Sequence, residues 1–390
     1  MTCAKIKIAA IGLGNRTYKY LRFVQEHQDV VELVATVDPD PSKQADFVSF
    51  DDLVAAGIGL DACIIGTPDL NHHELAVKAM RQGWHVLLEK PMGQTPEQCL
   101  DIAKVSEETG KMATVCYVLR YHPYFIKLKE LSQNPALGKI LSVKHIERVG
   151  HDRTAHTFVR GPWNKQEMNT SVFFTKCCHD VDFVLWLIGN DIKSVSSAKG
   201  ARIFTSANAP KGAAERCREC QIEQSCKYSA IDLYLRRRDW IKGFVSLPGE
   251  SQEETIIRML DESRYGRCIY HCHENDVPDK QTLAIEMYSG IKAEITMESI
   301  TEDNGRHTVI ECENAFITGD ESFIDIVYKD ASLPDERYDF QWTRGLSLHA
   351  GADLQIVKEF IEAIKEGHLQ TKTSAKDALE SHLICFSADL

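Results

Sequence analysis

The chain has 390 residues, 43% of them hydrophobic, with a formal net charge of -12 at pH 7 and a pI near 5.7. That length is too great for one small core and points to two domains, while the acidic balance, with no long basic run to reverse it, excludes a nucleic-acid backbone or an anionic membrane surface as the main partner. No apolar stretch approaches the roughly 20 residues that a membrane span requires.

The opening residues, MTCAKIKIAAIGLG, enter a strand almost at once and leave no room for a signal peptide, so a cytoplasmic protein is expected. Thirteen cysteines are spread along the chain. Cys63, Cys116 and Cys385 sit inside apolar runs, where reduced thiols act as small hydrophobes. Residues 5–11 read as a buried strand, followed by Gly12-Leu13-Gly14-Asn15-Arg16-Thr17 and a helix through residue 24. A second strand, 30–37, ends in Asp38. These are the parts of a dinucleotide-binding fold: the first glycine permits the turn, the second lets the backbone approach a pyrophosphate at the helix N-terminus beside Leu13, Asn15 and Arg16, and the acid holds the adenosine ribose. Thr17 stands where Gly or Ala is usual and is expected to loosen helix-to-strand packing slightly. Asp38, with no Arg directly after it, favours NAD over NADP.

Residues 62–65 form a third strand with Gly66-Thr67-Pro68 turning at its carboxyl end, 72–80 an amphipathic helix, and 85–88 a fourth strand that ends in Glu89-Lys90-Pro91. Open parallel sheets bind ligands outside the carboxyl ends of their strands, so Thr67, Pro68, Glu89, Lys90 and Pro91 are expected to converge on one cofactor. Residues 115–118 read as the last strand of this sheet and 123–131 as a helix. Period-two alternation then marks a half-exposed strand at 140–149, a hairpin over 282–299 and a further strand at 307–318. The expected fold class is α/β: an N-terminal Rossmann, doubly wound parallel sheet over residues 1–120, then an α+β domain with a mostly antiparallel, open-faced sheet over 121–390.

A helix opens at Lys176 and stops at Gly189. Lys176, His179 and Asp180 lie three and four apart on one face of it, with Asp182 close by. So many titratable groups within one turn favour a functional site over a satisfied core histidine. Residues 204–264 read as polar and irregular. Within them Cys217, Cys220 and Cys226 form a Cx2Cx5C pattern, and Cys268, His271, Cys272 and His273 follow. A CxxC knuckle with further soft ligands is the grammar of a tetrahedral structural zinc, its fourth ligand unassigned. Reduced thiols that bind nothing are the alternative, with an iron-sulfur cluster less favoured.

The Gly12-Leu13-Gly14 turn, Thr67-Pro68 with His72 after it, Glu89-Lys90-Pro91, Arg120-Tyr121-His122-Pro123 and CCHDVDFVLWLIG at 177–189 together resemble the Gfo/Idh/MocA family of NAD(P)-dependent sugar and polyol oxidoreductases. GRHTVIECENAFITGD (305–320) and LHAGADLQIVKEFIEAI (348–364) also fit, so the resemblance covers nearly the whole chain. It implies hydride transfer between NAD and a secondary hydroxyl of a sugar, inositol or related polyol, a homodimer or homotetramer, His72 among the cofactor residues, and Lys90 and His179 acting together on the hydroxyl. Oxidising a secondary alcohol sends a hydride to the nicotinamide and a proton to a base. Lys90, half-buried beside a positive nicotinamide, is expected to have its pKa lowered. His179 is the competing base. Lys176 is the third catalytic candidate, because many relatives carry an acid four residues before the motif histidine, where this chain has Thr175 followed by Lys176. Arg120, Tyr121, His122, Arg160, Trp163, Asp180, Arg306 and His349 are candidates to line the substrate pocket, Asp180 and Asp182 orienting partners. Two other readings stay open: a glycosidase that oxidises and re-reduces its substrate with no net redox change, and a non-catalytic sugar or nucleotide sensor. The final ESHLICFSADL reads as the middle of a helix, which leaves room for a longer carboxyl tail.

Overall fold

The computed structural model describes residues 5–165, 170–200, 202–343 and 346–389. Five parallel strands, β1 (Ile6–Ile11), β2 (Val31–Val37), β3 (Ala62–Ile65), β4 (His85–Leu88) and β5 (Ala113–Val115), lie in the order β2-β1-β3-β4-β5. The chain leaves β1 toward β2 and returns on its other side to β3, so the order reverses at β1 and β3. Ligands of open α/β sheets bind at the strands' carboxyl ends at such a switch point.

Helices cover both faces. α1 (Asn15–Glu26) lies on one side; α2 (Phe50–Ala55), α3 (His72–Arg81) and α4 (Pro96–Thr109) lie on the other. The first side is completed from far along the chain by α10 (Ala352–Glu366), whose Ile356, Val357, Phe360 and Ile361 bury against Ile6, Ile8 and Ala10 of β1. Each such side chain taken out of water contributes about 1.5–3 kcal/mol. Thr17 does not loosen this layer. It is fully buried, its hydroxyl donates to the Gly12 carbonyl at 2.5 Å, and it fits because Gly66 opposite carries no side chain.

The second sheet has eight strands: β6 (Ile140–Arg148), β7 (Ile192–Lys199), β8 (Lys280–Met287), β9 (Lys292–Glu298), β10 (Gly305–Cys312), β11 (Ala315–Gly319), β12 (Phe323–Tyr328) and β13 (Glu336–Asp339). Their order is β13-β12-β11-β10-β6-β9-β8-β7, antiparallel except where β6 meets β9. Its inner face packs on α5 (Pro123–Ser132) and α7 (Val172–Ile188). A short α6 (His151–Arg153) continues as wider turns through Thr154–Val159. α8 (Gln252–Glu262), α9 (Ser347–Ala350) and α11 (Ala375–Ser387) complete the helices. Among the described residues no helix is long and apolar enough to cross a membrane.

Four boundaries differ from the sequence expectation. α7 starts before Lys176 because the Ser171 hydroxyl accepts the Phe174 N–H at 3.0 Å and caps it. β5 stops at Val115, opposite the end of β4, and Tyr117 turns inward to His382. The single strand expected over 307–318 is a hairpin, β10 and β11, with Glu311 opposite Phe316. The stretch expected to be irregular contains α8, which is opened by a capping box in which Ser251 and Glu254 bond reciprocally.

Candidate active site

The nucleotide turn is shaped by sterics. Gly12 has φ +81°, and a Cβ there would stand 2.8 Å from Thr67. Gly14 begins α1 with no side-chain cap, leaving the first-turn N–H groups for an anion. Asp38 accepts the Leu13 N–H at 2.7 Å and the Asp40 N–H at 2.9 Å. Beside this turn a cleft of 540 Å³ and a recess of 260 Å³ share Thr67, whose buried hydroxyl has no partner. These features fit NAD: Asp38 for a ribose, the α1 terminus for the pyrophosphate, and Thr67 bordering both cavities.

Several residues expected at the cofactor brace the loops that frame it. Glu89 is buried and accepts the Arg16 Nε at 2.7 Å and the Tyr20 hydroxyl; Arg16 also reaches Asp353 of α10 at 2.7 Å. Burial works to raise the Glu89 carboxyl, but Arg16 and Tyr20 outweigh it and hold it below its usual range. His72 is fully buried, its ring nitrogens 2.6 Å from the Pro91 carbonyl and 3.0 Å from that of Thr67. It therefore ties the β3 turn, which includes Pro68, to the Lys90–Pro91 loop. Asn15, Arg16, His72, Glu89, Lys90 and Pro91 all border the cleft.

The opposite wall comes from α7. The Lys90 Nζ donates to the Thr175 carbonyl at 2.8 Å, and Lys176 and His179 border the same cleft. The His179 Nδ1 is buried without a partner, and burial, reinforced by the Lys90 charge, keeps the imidazole neutral by pushing its pKa well below the ordinary value. Burial and Arg153 push the Lys176 ammonium down; burial pushes the Glu147 carboxyl up. Asp180 lies beneath, accepting from His145 at 2.8 Å and Arg306 at 2.6 Å, and these outweigh burial to hold it far below a carboxylate's usual range.

The substrate candidates divide. Trp163, Arg306 and His349 border the cleft. Arg120 does not: it is spent on Asp182, at 2.7 and 2.8 Å, and on the Lys372 carbonyl. Tyr121 is buried in the α10 core, and His122 caps α5 by accepting the Tyr124 N–H. Asp180 acts on the cleft through Arg306. Arg160 corrects the expectation most clearly, since it is buried in the cysteine loop, where it donates to the Arg267 and Tyr228 carbonyls.

Glu147, Arg153 and Lys19 border the cleft and escaped the sequence reading. For Glu147 a signal was present, because Val143, His145 and Glu147 share the inner face of an alternating strand. Nothing local marks Arg153 or Lys19.

The proton chemistry has a testable pH signature. His179 is held neutral while Lys176 is lowered to about 7, so Lys176 is the cleft group whose charge changes near neutrality, and an acidic limb there in the rate of alcohol oxidation is expected from its protonation as pH drops. In Lys176→Met that limb is expected to disappear from the profile of kcat/KM against pH.

Comparison with known proteins agrees with this arrangement. The family model described as an oxidoreductase family with an NAD-binding Rossmann fold matches residues 6–117, and the GFO/IDH/MocA C-terminal domain matches residues 125–221. The 2,7-anhydro-N-acetylneuraminate hydratase of Escherichia coli (strain K12) is 25% identical over 50% of this chain and 53% of its own. The 1-carboxy-3-chloro-3,4-dihydroxycyclo hexa-1,5-diene dehydrogenase of Comamonas testosteroni is 27% identical over 64% of each. The matched segments thus span between half and two thirds of these relatives' lengths. The solved myo-inositol 2-dehydrogenase of Lactobacillus plantarum superposes with a TM-score of 0.66 at 15% identity, covering 99% of this chain and 96% of its own. With both halves of the family pattern matched in order, and the glycine turn, Lys90 loop and α7 histidine gathered at one cleft, the chain belongs to the Gfo/Idh/MocA oxidoreductase family.

Proposed function

We propose that this protein is an NAD-dependent oxidoreductase acting on a secondary hydroxyl of a sugar, inositol or related polyol, and that the substrate carries negative charge. The observation that carries the reading is the convergence of Lys90, Lys176 and His179 on the cleft beside the nucleotide turn. When bound, NAD accepts the substrate's hydride. The chain's own groups handle the proton: the open Nδ1 of neutral His179 receives it from the hydroxyl, and Lys90, fixed to Thr175, steadies the oxygen as charge develops. Trp163 offers an apolar face to a ring.

The preference for an anion follows from charge. Lys19, Lys90 and Arg153 border the cleft as cations, whereas Glu89 is taken by Arg16, Arg306 and Asp180 neutralise each other, and burial favours the protonated forms of Glu147 and Asp69. The two curated relatives named above act on molecules whose names include a neuraminate and a carboxy group. The test is NADH absorbance with excess NAD and matched neutral and acidic polyols. NADH accumulating with an acidic polyol is the expected result; NADH with neutral compounds alone would remove the anionic part, and no response from any would remove the dehydrogenase.

The hydratase relative favours one second reading, in which oxidation and re-reduction cycle within a turnover. Product released from an anhydro sugar or glycoside while NADH stays flat would establish it.

We also propose a cytoplasmic homodimer or homotetramer. Leu141, Phe316 and Val327 are exposed on the outer face of the second sheet, with Phe316 paired to Val327. Replacing all three by Ser is expected to shift the mass in light scattering to the monomer; an unchanged mass would refute this face.

A further inference from the structure

The cysteine loop is unused by the proposed function. Cys217, Cys220, Cys226 and Cys268 line a single cavity of 10 Å³, about the room of one water-sized body. All four are free thiols. The first two are joined by a tight turn, in which the Cys220 N–H donates to the Cys217 carbonyl at 3.3 Å. The fourth arrives from a distant segment, held where the Cys268 N–H donates to the Glu215 carbonyl at 2.9 Å and Arg216 bridges to Arg267.

A second, independent observation is the charge beside them. Arg160 is 1% exposed, its Nη2 stands 3.8 Å from the Cys217 Sγ, and its Nη1 is buried without a partner. Its other partners are neutral: the carbonyls of Arg267 and Tyr228 and the Tyr234 phenol. A buried guanidinium requires a counter-charge. A divalent cation ringed by four thiolates carries a net double negative charge and would supply one.

We propose that Cys217, Cys220, Cys226 and Cys268 bind one tetrahedral zinc ion, with Arg160 as the adjacent counter-charge. Each thiol gives its proton to solvent on ligation. The cavity suits one ion and is too small for a multinuclear iron-sulfur cluster. Cys272 is excluded from the set because it does not line this cavity; it borders a separate one with Asn164, Arg264 and Glu274. His271 and His273 are likewise excluded, standing with Glu215 as a separate, more exposed trio whose ligand atoms lie within 4.8 Å of one another. Among the described residues no three thiols lie within 4.8 Å of one another, so the proposed ligation requires their side chains to close on the ion.

The site bears on the cleft from behind. Arg160 directly follows the turns that place Arg153, Thr157 and Phe158 on the cleft wall, and Trp163 comes three residues later. Zinc therefore holds the wall that faces the substrate, and this inference stands whether or not the substrate is a polyol.

The experiment is elemental analysis and X-ray absorption on the full chain, purified without chelator. One zinc per chain in a shell of four sulfurs is the expected result, and exchange with cobalt(II) alone should bring intense thiolate-to-metal absorption. A folded chain free of metal, whose thiols all titrate, would overturn the proposal, as would iron accompanied by acid-labile sulfide. Zinc should be lost in Cys220→Ser and kept in Cys272→Ser; the reverse would overturn the ligand set. Should Cys220→Ser fail to fold, the wild-type sulfur shell and the Cys272→Ser metal content still decide the matter.

Discussion

Lys90→Met is expected to lose turnover by about 10²–10⁴-fold, the scale of a positioned acid–base group, while NAD binding changes little. Methionine keeps much of the lysine stem and removes only the ammonium that donates to the Thr175 carbonyl. The nucleotide turn, Asp38 and the Arg16–Glu89 brace are left in place. The variant also removes a positive charge that helps hold the Lys176 pKa down, so any residual activity should acquire a more alkaline acidic limb. Single-turnover rates with NAD titrated by fluorescence separate the two effects. A wild-type rate would take Lys90 out of the chemistry, and a parallel loss of NAD affinity would make it a cofactor residue instead.

The second large effect is on stability. Arg306→Met should destabilise the fold by about 3–5 kcal/mol, because breaking a buried ion pair leaves the partner carboxylate uncompensated. The ionised partner is Asp180, at 2.6 Å; Glu147 stands 3.2 Å away with its carboxyl pushed up by burial. The sign with pH is fixed by linkage. In the native chain Asp180 is held below its unfolded value, so it contributes stability above that value and the contribution is lost as pH falls through the folded pKa. In the variant the same carboxyl is buried beside Glu147 with only His145 to help it, its folded pKa rises, and stability drains away as pH increases. The difference between the two chains in urea unfolding should therefore be larger at pH 7.5 than at pH 5. Equal differences at both would mean that Arg306 acts through packing alone.

The first sheet was legible because each of its signals is local. A glycine turn between an apolar run and a helix, an acid at the end of β2 and a charged trio at the end of β4 each declare themselves within a dozen residues. Asp38, Lys90 and the α7 triad could be named for that reason. Roles assigned by side-chain type alone were not legible. Arg120 and Arg160 look equally suited to an anionic ligand, but one is neutralised by Asp182 and the other is buried beside thiols, and both outcomes depend on residues far away in sequence. Arg153 reaches the cleft only through the path of α6 and its wider turns, which no periodicity announces. The α8 helix was legible in principle, since Ser251 and Glu254 display a capping box ahead of an apolar stripe.

The clasp between Arg16 and Asp353 joins residues 337 positions apart. During synthesis the glycine turn and all five strands of the first sheet leave the ribosome long before their retaining helix does. Until α10 emerges, one face of that sheet is open and Ile6, Ile8 and Ala10 are exposed to whatever apolar surface is nearby. The nucleotide half is thus the first to be translated and among the last to be closed. A nascent chain halted before residue 352 should depend on chaperones and should be cleaved readily by proteases at its β1 layer.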